Sequence, residues 1–317
     1  MTFPSMVIFL VLGLFIPGLG SASSTDISIK GKLSIDPDNI SGMVITENFM
    51  ALATDEGTAI QVLARQGNEF IALPRNKITL TPGKDELDIE GLAWQAPYLY
   101  AVGSHAKKRK KIKSDASNKQ NIKRLTLIHD EPARNQLFQI QLDNRLNARQ
   151  IKAFSLMPII QDTPILEPFT ALPGKENGID IEGIAVSENH LYIGFRGPVL
   201  RGNLVPILKL TLKDKKFSVK TPKLKLVNLG GLGIRDMVAF EDKLYLLSGP
   251  VNNIPNVYHV HVWNGKAHLT PLPYLKTLDR PLGKPEALVV NRLNQESNLL
   301  FWVGQDGLKN GGIKLLD

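Results

Sequence analysis

Short apolar runs separated by turn residues cover most of the chain, and helical periodicity is nearly absent. Apolar and polar residues alternate in QLFQIQL at 136–142 and in VYHVHVW at 257–263. This period of two residues is typical of strands that have one buried and one exposed face. The pattern therefore predicts an all-β protein built from many short antiparallel strands.

Five segments of this pattern resemble one another: ISGMV at 40–44, IEGLA at 89–93, IEGIA at 181–185, IRDMV at 234–238 and PEALV at 285–289. A second and a third apolar run follow each segment, and a fourth follows the first four copies. The second residues of these segments are 49, 92, 53 and 51 positions apart. Repeats of this length with four strands each favour a β-propeller, and the alternative is an open array of β-sandwiches.

Five blades agree best with the number of repeats. The 92-residue interval leaves room for a sixth blade, but it contains no further segment of this type. An insertion at about 106–134 and a proline-rich loop at about 158–178 account for its extra length. The last repeat lacks a fourth strand, and the alternating residues 26–33 are predicted to supply it and close the ring.

Composition excludes several classes of protein. The 317 residues are 43% hydrophobic and 21% charged, as in ordinary globular domains, which excludes a disordered, collagen-like or coiled-coil chain. The absence of cysteine excludes disulfides, thiolate metal sites and a cysteine nucleophile. The net charge is +8, and the nine basic residues and one acid between Lys107 and Arg124 account for all of it.

The N-terminus has the pattern of an export signal. An apolar run at 6–19 precedes the small residues of 20–24, as in secretory signal peptides. We predict a signal peptide at 1–24, one propeller domain at 26–317 and a periplasmic or secreted protein. An uncleaved anchor is the alternative, although the run is shorter than the roughly 20 residues of a membrane-spanning helix. No transmembrane segment is predicted to remain after cleavage.

Several motifs together resemble a known family. In chain order, DIEGLA, GSHAKKRK, DIEGIA, GFRGPVLRG, GGLGIRDM and KPEALVV are similar to the bacterial domain-of-unknown-function 3616 family. That resemblance implies a β-propeller and carries no established reaction. The repeated Glu-Gly-Ile/Leu-Ala also resembles segments of phytase-like esterase domains and of calcium-dependent lactonase-like propellers.

The innermost strand of each propeller blade lines the central channel, so equivalent residues of the repeats form a ring. That ring comprises Ser41, Glu90, Glu182, Arg235 and Glu286. Converging carboxylates raise one another's pKa unless a cation offsets them. We therefore predict a Ca²⁺ site with Glu90, Glu182, Glu286 and Asp236 as ligands, because Ca²⁺ prefers oxygen donors. The alternative is that each glutamate binds backbone amides of the next blade.

Further polar residues follow the second strands, which end at the same channel mouth. The predicted ligand-binding residues are Asp55, Ser104, Arg196, Arg201 and Arg235, and His105 is the predicted proton carrier beside the three glutamates. Guanidinium groups bind phosphate or carboxylate in a bidentate manner. Pairing of the arginines with glutamates of neighbouring blades is the alternative, and it does not exclude ligand binding.

The basic segment 107–124 contains no interleaved aromatic residues and accompanies no nucleic-acid-binding fold, so a nucleic-acid partner is not expected. An anionic polymer of the cell envelope, or lipid headgroups, would suit an exported protein better. The alternative is a solvated, disordered loop without a specific partner.

Three functions agree with these features. The first is a metal-supported hydrolase of a small anionic ester, such as a phosphoester or a lactone, with Glu90, Glu182, Glu286 and His105 as catalytic residues. The second is a non-enzymatic propeller that binds a ligand or a protein in the cell envelope. The third is a glycosidase with axial carboxylates, against which the scarcity of aromatic residues argues.

Overall fold

The structure is a computed structural model that describes residues 27–83, 85–213, 216–252, 257–279, 281–292 and 298–316. The predicted signal peptide at 1–24 lies outside the described residues. No helix of the described ranges is both long and apolar enough to span a bilayer.

The strands form five successive antiparallel sheets, which confirms the five-bladed propeller. The first blade contains β2 (Ile40–Ile45), β3 (Phe49–Thr54), β4 (Ala59–Gln66) and β5 (Glu69–Thr79), with β1 (Ser28–Lys30) at its edge. The second contains β6 (Ile89–Gln95), β7 (Tyr98–Gly103), β10 (Leu137–Leu142) and β11 (Ala148–Phe154). The third contains β12 (Asp180–Ser187), β13 (His190–Gly197), β14 (Leu204–Lys213) and β15 (Lys216–Asn228).

The last two blades are less regular. The fourth contains β16 (Gly233–Phe240), β17 (Lys243–Gly249), β18 (Tyr258–Trp263) and β20 (Tyr274–Leu278). Between its last two strands, β19 (His268–Pro271) pairs in parallel with β15 of the third blade. The fifth blade contains β21 (Lys284–Arg292), β22 (Leu299–Asp306) and β23 (Lys314–Leu316), with no fourth strand among the described residues.

The N-terminal strand does not complete the last blade, so the predicted mode of ring closure is wrong. β1 pairs in parallel with β5 of the first blade, with Ser28 opposite Glu69 and Lys30 opposite Ile71. The ring closes through packing and loop contacts instead. Leu33 joins the cluster of buried residues shared by the first and last blades. The amide of Gly307 also donates to the carbonyl of Asp38, 2.8 Å away.

The same irregularity recurs in the innermost strand of every blade. In each of these strands, one residue near the start has no partner in the pairing with the second strand of the blade. These residues are Ser41, Glu90, Glu182, Arg235 and Glu286. Such bulges re-aim a side chain out of the regular alternation. The residues that the repeats align by sequence are thus the five that share this backbone feature.

The glycine after the bulge is required where neighbouring inner strands approach closely. A Cβ on Gly183 would lie 2.7 Å from both Ile234 Cγ2 and Met237 Cγ of the fourth blade. A Cβ on Gly91 would lie 3.0 Å from the carbonyl oxygen of Glu182. In the Glu-Gly pair of the repeat, the bulge therefore redirects the glutamate side chain, and the glycine position has no room for a side chain.

The insertion between the second and third strands of the second blade has regular structure, so it is not a disordered loop. It contains β8 (Lys108–Arg109), α1 (Asn118–Thr126) and β9 (Ile128–His129), with β8 and β9 paired antiparallel. A short 3₁₀ turn, Pro132–Arg134, leads back to β10. The helix α2 (Met157–Gln161) and two further 3₁₀ turns, Glu167–Ala171 and Gly174–Glu176, connect the second and third blades.

Candidate functional site

A cavity of about 1150 Å³ lies at the channel mouth where the inner strands begin. Its lining includes six charged residues of the inner strands and their neighbours: Glu90, Asp180, Glu182, Arg196, Arg235 and Glu286. The bulges bring Glu90, Glu182, Arg235 and Glu286 here from four blades. We call these six residues the charged floor.

Arg235 links three blades within the charged floor. Its Nη1 lies 2.9 Å from Glu182 Oε2, and its Nη2 contacts Glu286 Oε1. All three side chains are nearly inaccessible to solvent. Guanidinium is always charged, so it offsets both carboxylates at any ordinary pH.

Arg196 extends this network within the third blade. Its Nη1 lies 2.5 Å from Glu182 Oε1, and its Nη2 contacts Asp180 Oδ2. The network therefore runs from Asp180 through Arg196, Glu182 and Arg235 to Glu286. It contains three acids and two arginines. Pairing of the arginines with acids is the alternative that was predicted from the sequence.

Glu90 lines the same cavity, but none of the described residues pairs with it. Burial raises the pKa of Glu90 well above its ordinary value, and the nearby carboxylates Asp88, Glu182 and Glu286 raise it further. The protonated form of Glu90 therefore persists to higher pH than that of an ordinary glutamate. Glu90 is the carboxyl group of the floor that is available to a ligand.

Four more carboxylates line the cavity beside the floor: Asp55, Glu86, Asp88 and Asp306. Arg134 donates to Asp88 Oδ2 at 2.7 Å and to Glu86 Oε1 at 2.8 Å. Asp55 has a buried Oδ1 without a hydrogen-bond partner among the described residues. Burial raises the pKa of Asp55 to about 7, with Asp306 and Asp88 contributing as neighbouring acids. This side of the cavity is acidic.

Another part of the cavity lining, which we call the basic wall, comes from the insertion, because the insertion folds beside the mouth. Its residues in the lining are Lys107, Lys108, Arg109, Lys110, Lys111, Arg124 and Leu125. Lys175 and Glu176 of the loop before the third blade lie next to them. Arg109 contacts both carboxylate oxygens of Glu176 at 2.5 and 3.0 Å, which fastens the insertion to that loop. The basic segment is thus part of the site.

Two residues predicted for the site face away from the cavity. His105 is buried; its Nδ1 lies 2.8 Å from the carbonyl oxygen of Gly103, and its Nε2 accepts from the Leu156 amide at 3.1 Å. Burial lowers the pKa of His105 to about 4. With both ring nitrogens engaged, it is not positioned as a proton carrier. Ser104 is fully buried and donates to Asp88, so it supports the acidic side only indirectly.

Asp236 and Arg201 are also outside the cavity lining. Asp236 accepts from the amide of Met237 at 2.7 Å and from that of Leu288 at 2.6 Å. Asp236 therefore links the fourth blade to the fifth. It binds backbone amides of the next blade, which is what the alternative interpretation of the sequence predicted for the glutamates. Arg201 is exposed in the turn before β14. Ser41 donates to the carbonyl of Ile89, which ties the first blade to the second.

The charged floor does not suit the predicted Ca²⁺ ion. Arginine already contacts Glu182 and Glu286, and Asp236 binds backbone amides. Across the described part of the chain, no three or more acidic or histidine side chains form a group that could hold a metal ion. A Ca²⁺ site needs roughly six oxygen donors, whereas arginine side chains offset the charge here. Calcium binding stays a prediction.

Arg134 and Tyr258 also line the cavity, although neither was predicted from the sequence. Arg134 lies 46 positions from Asp88 along the chain, and no repeat marks it. Tyr258 begins β18, the third strand of the fourth blade, and the third strands of the repeats share no consensus sequence. The one signal in the sequence for Arg134 is its position at the end of the insertion, where the chain returns to the channel mouth beside Asp88.

A second cavity of about 880 Å³ lies at the other end of the channel. The later residues of all five inner strands line it, together with Trp94 and Trp302. The third tryptophan, Trp263, is buried in the core between the third and fourth blades. The aromatic residues best suited to stacking on sugars are therefore absent from the charged cavity.

A family model described as "Protein of unknown function (DUF3616)" matches residues 39–279. The comparison with curated proteins gives no match.

Three solved structures are similar to this chain. The major allergen Mala s 1 of Malassezia sympodialis is 9% identical, with a TM-score of 0.51 over 90% of this chain and 93% of that one. The exo-β-1,3-galactanase 1,3Gal43A of Clostridium thermocellum is 10% identical, with a TM-score of 0.50 over 86% and 57%. Myxococcus xanthus glutaminyl cyclase is 10% identical, with a TM-score of 0.45 over 88% and 91%. Similarity at this level concerns the fold alone.

Proposed function

The chain belongs to the DUF3616 family, and we propose that it is an acid–base hydrolase of a small anionic ester, with its active site in the charged cavity. The observation that carries this proposal is Glu90. It is a carboxyl group with a raised pKa, it faces the cavity, and no described residue pairs with it. A proton donor of this kind is what ester cleavage requires at the leaving group.

The two walls of the cavity suggest how a substrate binds. Both arginines of the floor are already paired with carboxylates, so they are not free to hold an anion. Lys110, Lys111 and Lys175 line the basic wall without an ion pair among the described residues. A phosphate or carboxylate group would contact these lysines, and the scissile bond would lie toward Glu90. A substrate with one anionic end and one uncharged end matches this polarity.

In the proposed reaction, Glu90 donates its proton to the leaving oxygen as the bond between that oxygen and phosphorus or carbonyl carbon breaks. Water supplies the oxygen of the new bond, and a proton from that water restores Glu90. Arg196 and Arg235 place two fixed positive charges beside the reacting groups, and fixed charges of this kind are the usual source of electrostatic stabilisation. No metal ion is needed for this sequence of proton transfers.

The test is a panel of phosphoesters and lactones in the presence of EDTA. We expect turnover by the unmodified protein and a loss of kcat of about 100-fold or more in Glu90→Gln, which keeps the shape but cannot transfer a proton. Glu167→Gln is the matched control, because Glu167 is exposed and lies outside the cavity lining. The absence of turnover on the whole panel, or equal rates in both variants, would overturn the proposal.

The second candidate function is non-enzymatic ligand binding. One observation favours it: the ion pairs of Arg196 and Arg235 join three blades, which is what a purely structural lock would do. In that case an anionic ligand would raise Tm without being converted, and Glu90→Gln would leave that rise unchanged. A glycosidase is not favoured, because none of the three tryptophans lies in the charged cavity.

A further inference from the structure

The insertion exposes an unusual number of large apolar side chains. Five of the twelve exposed large hydrophobic residues in the described ranges lie between positions 112 and 128: Ile112, Ile122, Leu125, Leu127 and Ile128. Ile112 is 64% exposed and Leu127 is 59% exposed. No residue of α1 is buried. Exposed apolar clusters of this kind mark surfaces that contact a partner or a membrane.

Uncompensated basic residues lie among these apolar side chains. Lys110, Lys111, Lys113, Lys119 and Lys123 form no ion pair with any described residue. The three remaining basic residues near β8 are paired, namely Lys107 with Asp130, Lys108 with Glu131 and Arg109 with Glu176. The free lysines thus lie toward α1, on the part of the insertion that carries the exposed isoleucines and leucines.

The insertion is held together by specific contacts, so its apolar side chains are exposed on a built element. Ser117 and Gln120 form a capping box at the start of α1. Asn121 exchanges hydrogen bonds with the backbone of Lys113, both at 2.9 Å. Arg124 donates to the carbonyl of Lys111 at 3.1 Å. These contacts fix α1 against the chain that precedes it.

We propose that residues 107–128 are a docking surface for an anionic lipid membrane, with the isoleucines and leucines of 112–128 inserted among the headgroups. A basic segment with exposed apolar residues binds lipid interfaces in two ways: its apolar side chains are buried in the interface, and its positive charges are attracted to anionic headgroups. An anionic polymer would use the lysines but would leave the isoleucines in water. The apolar side chains are therefore the observation that selects a lipid surface.

Docking has a consequence for the charged cavity. Lys110, Lys111 and Leu125 belong both to the docking surface and to the cavity lining. A docked molecule would thus hold the cavity mouth beside the headgroups. This inference stands on the exposed residues of the insertion and does not require the proposed hydrolase activity.

The test is co-sedimentation of the full chain with vesicles of equimolar phosphatidylglycerol and phosphatidylcholine, compared with vesicles of phosphatidylcholine alone. We expect binding to the anionic vesicles only. The combined Lys113→Gln, Lys119→Gln and Lys123→Gln variant should bind about 100-fold more weakly, since each lysine contributes roughly a factor of five near an anionic surface. The Ile112→Ser and Leu127→Ser double variant should bind about tenfold more weakly.

The control is Leu269→Ser, which removes an equally exposed leucine from the fourth blade region and should leave binding unchanged. Every variant carries the same N-terminal residues, so the differences report on the insertion. Full binding by the Ile112→Ser and Leu127→Ser variant would overturn the proposal. So would retention of dextran sulfate and not of anionic vesicles, which would identify a polymer-binding surface. In a further variant, Ile122→Trp, the tryptophan emission should shift to shorter wavelength on vesicles and not on dextran sulfate.

Discussion

Arg235 and Glu182 contact each other across the boundary between the fourth and third blades, with Arg235 Nη1 2.9 Å from Glu182 Oε2. Both side chains are almost completely buried. Apolar packing and the backbone contacts of Ser41 and Asp236 also join neighbouring blades, and this ion pair adds a contact between charged side chains. Arg235 also contacts Glu286, so its removal affects two blade boundaries at once.

Arg235→Met should therefore destabilise the protein by about 3–5 kcal/mol, because two buried carboxylates lose their compensating charge. Urea unfolding monitored by tryptophan fluorescence measures this loss. The triple variant Arg235→Met, Glu182→Gln and Glu286→Gln should recover most of the stability, since it buries no unpaired charge. A loss below about 1 kcal/mol in the single variant would show that Arg235 does not hold the ring.

Asp55 should make stability depend on pH. Its pKa is raised from 3.8 to about 7 in the folded protein, so the folded state favours the protonated form. Its stabilising contribution is complete below about pH 4 and is lost as the pH rises through about 7. Asp55→Asn should thus raise Tm by about 2 °C at pH 8 and leave it unchanged at pH 4. Thermal unfolding at both pH values, with the exposed Glu167→Gln as control, tests this; a pH-independent effect contradicts it.

Gly183→Ala should destabilise the protein by about 1–3 kcal/mol, because the added methyl group would lie 2.7 Å from Ile234 and Met237. Gly83→Ala is the matched control, since the nearest heavy atom to its Cβ would be 3.9 Å away. Equilibrium unfolding in urea compares the two variants. Similar stability in both would mean that the inner strands can separate without cost.

Chelation should have no effect on the folded protein. Arginine side chains offset Glu182 and Glu286, so no cation is needed to keep the ring together. We expect Tm to change by less than about 1 °C when EDTA or millimolar CaCl₂ is added. A calcium-dependent rise that disappears in Glu90→Gln would instead support the calcium site expected from the sequence.

The architecture was accessible from the sequence because each blade is a local unit. The repeats align Glu90, Glu182 and Glu286 with Ser41 and Arg235, and all five lie at the same bulge. Alternation and turn residues depend on nearest neighbours along the chain, so they are visible without coordinates. The closing strand was not predictable in this way. The pairing of β1 with the edge strand β5 competes with the pairing of β1 in the last blade, and only three-dimensional packing decides between the two.

The charges could be listed from the sequence, but not their pairing. The partners Arg235 and Glu286 are 51 positions apart, and Arg134 and Asp88 are 46 apart. The orientation of His105 away from the cavity depends on the amide of Leu156, which no motif marks. Likewise, nothing in the basic segment itself indicates that it forms one wall of the cavity.

The sequence by itself determined a five-bladed all-β propeller, the ring of equivalent positions and the location of the excess positive charge, because these follow from local periodicity and from composition. The tertiary structure alone decided which carboxylates are neutralised, that Glu90 lacks a partner among the described residues, and that the insertion lies beside the channel mouth. The physical reason is that ion pairing and burial depend on distances between remote residues, and the closure of the ring sets those distances.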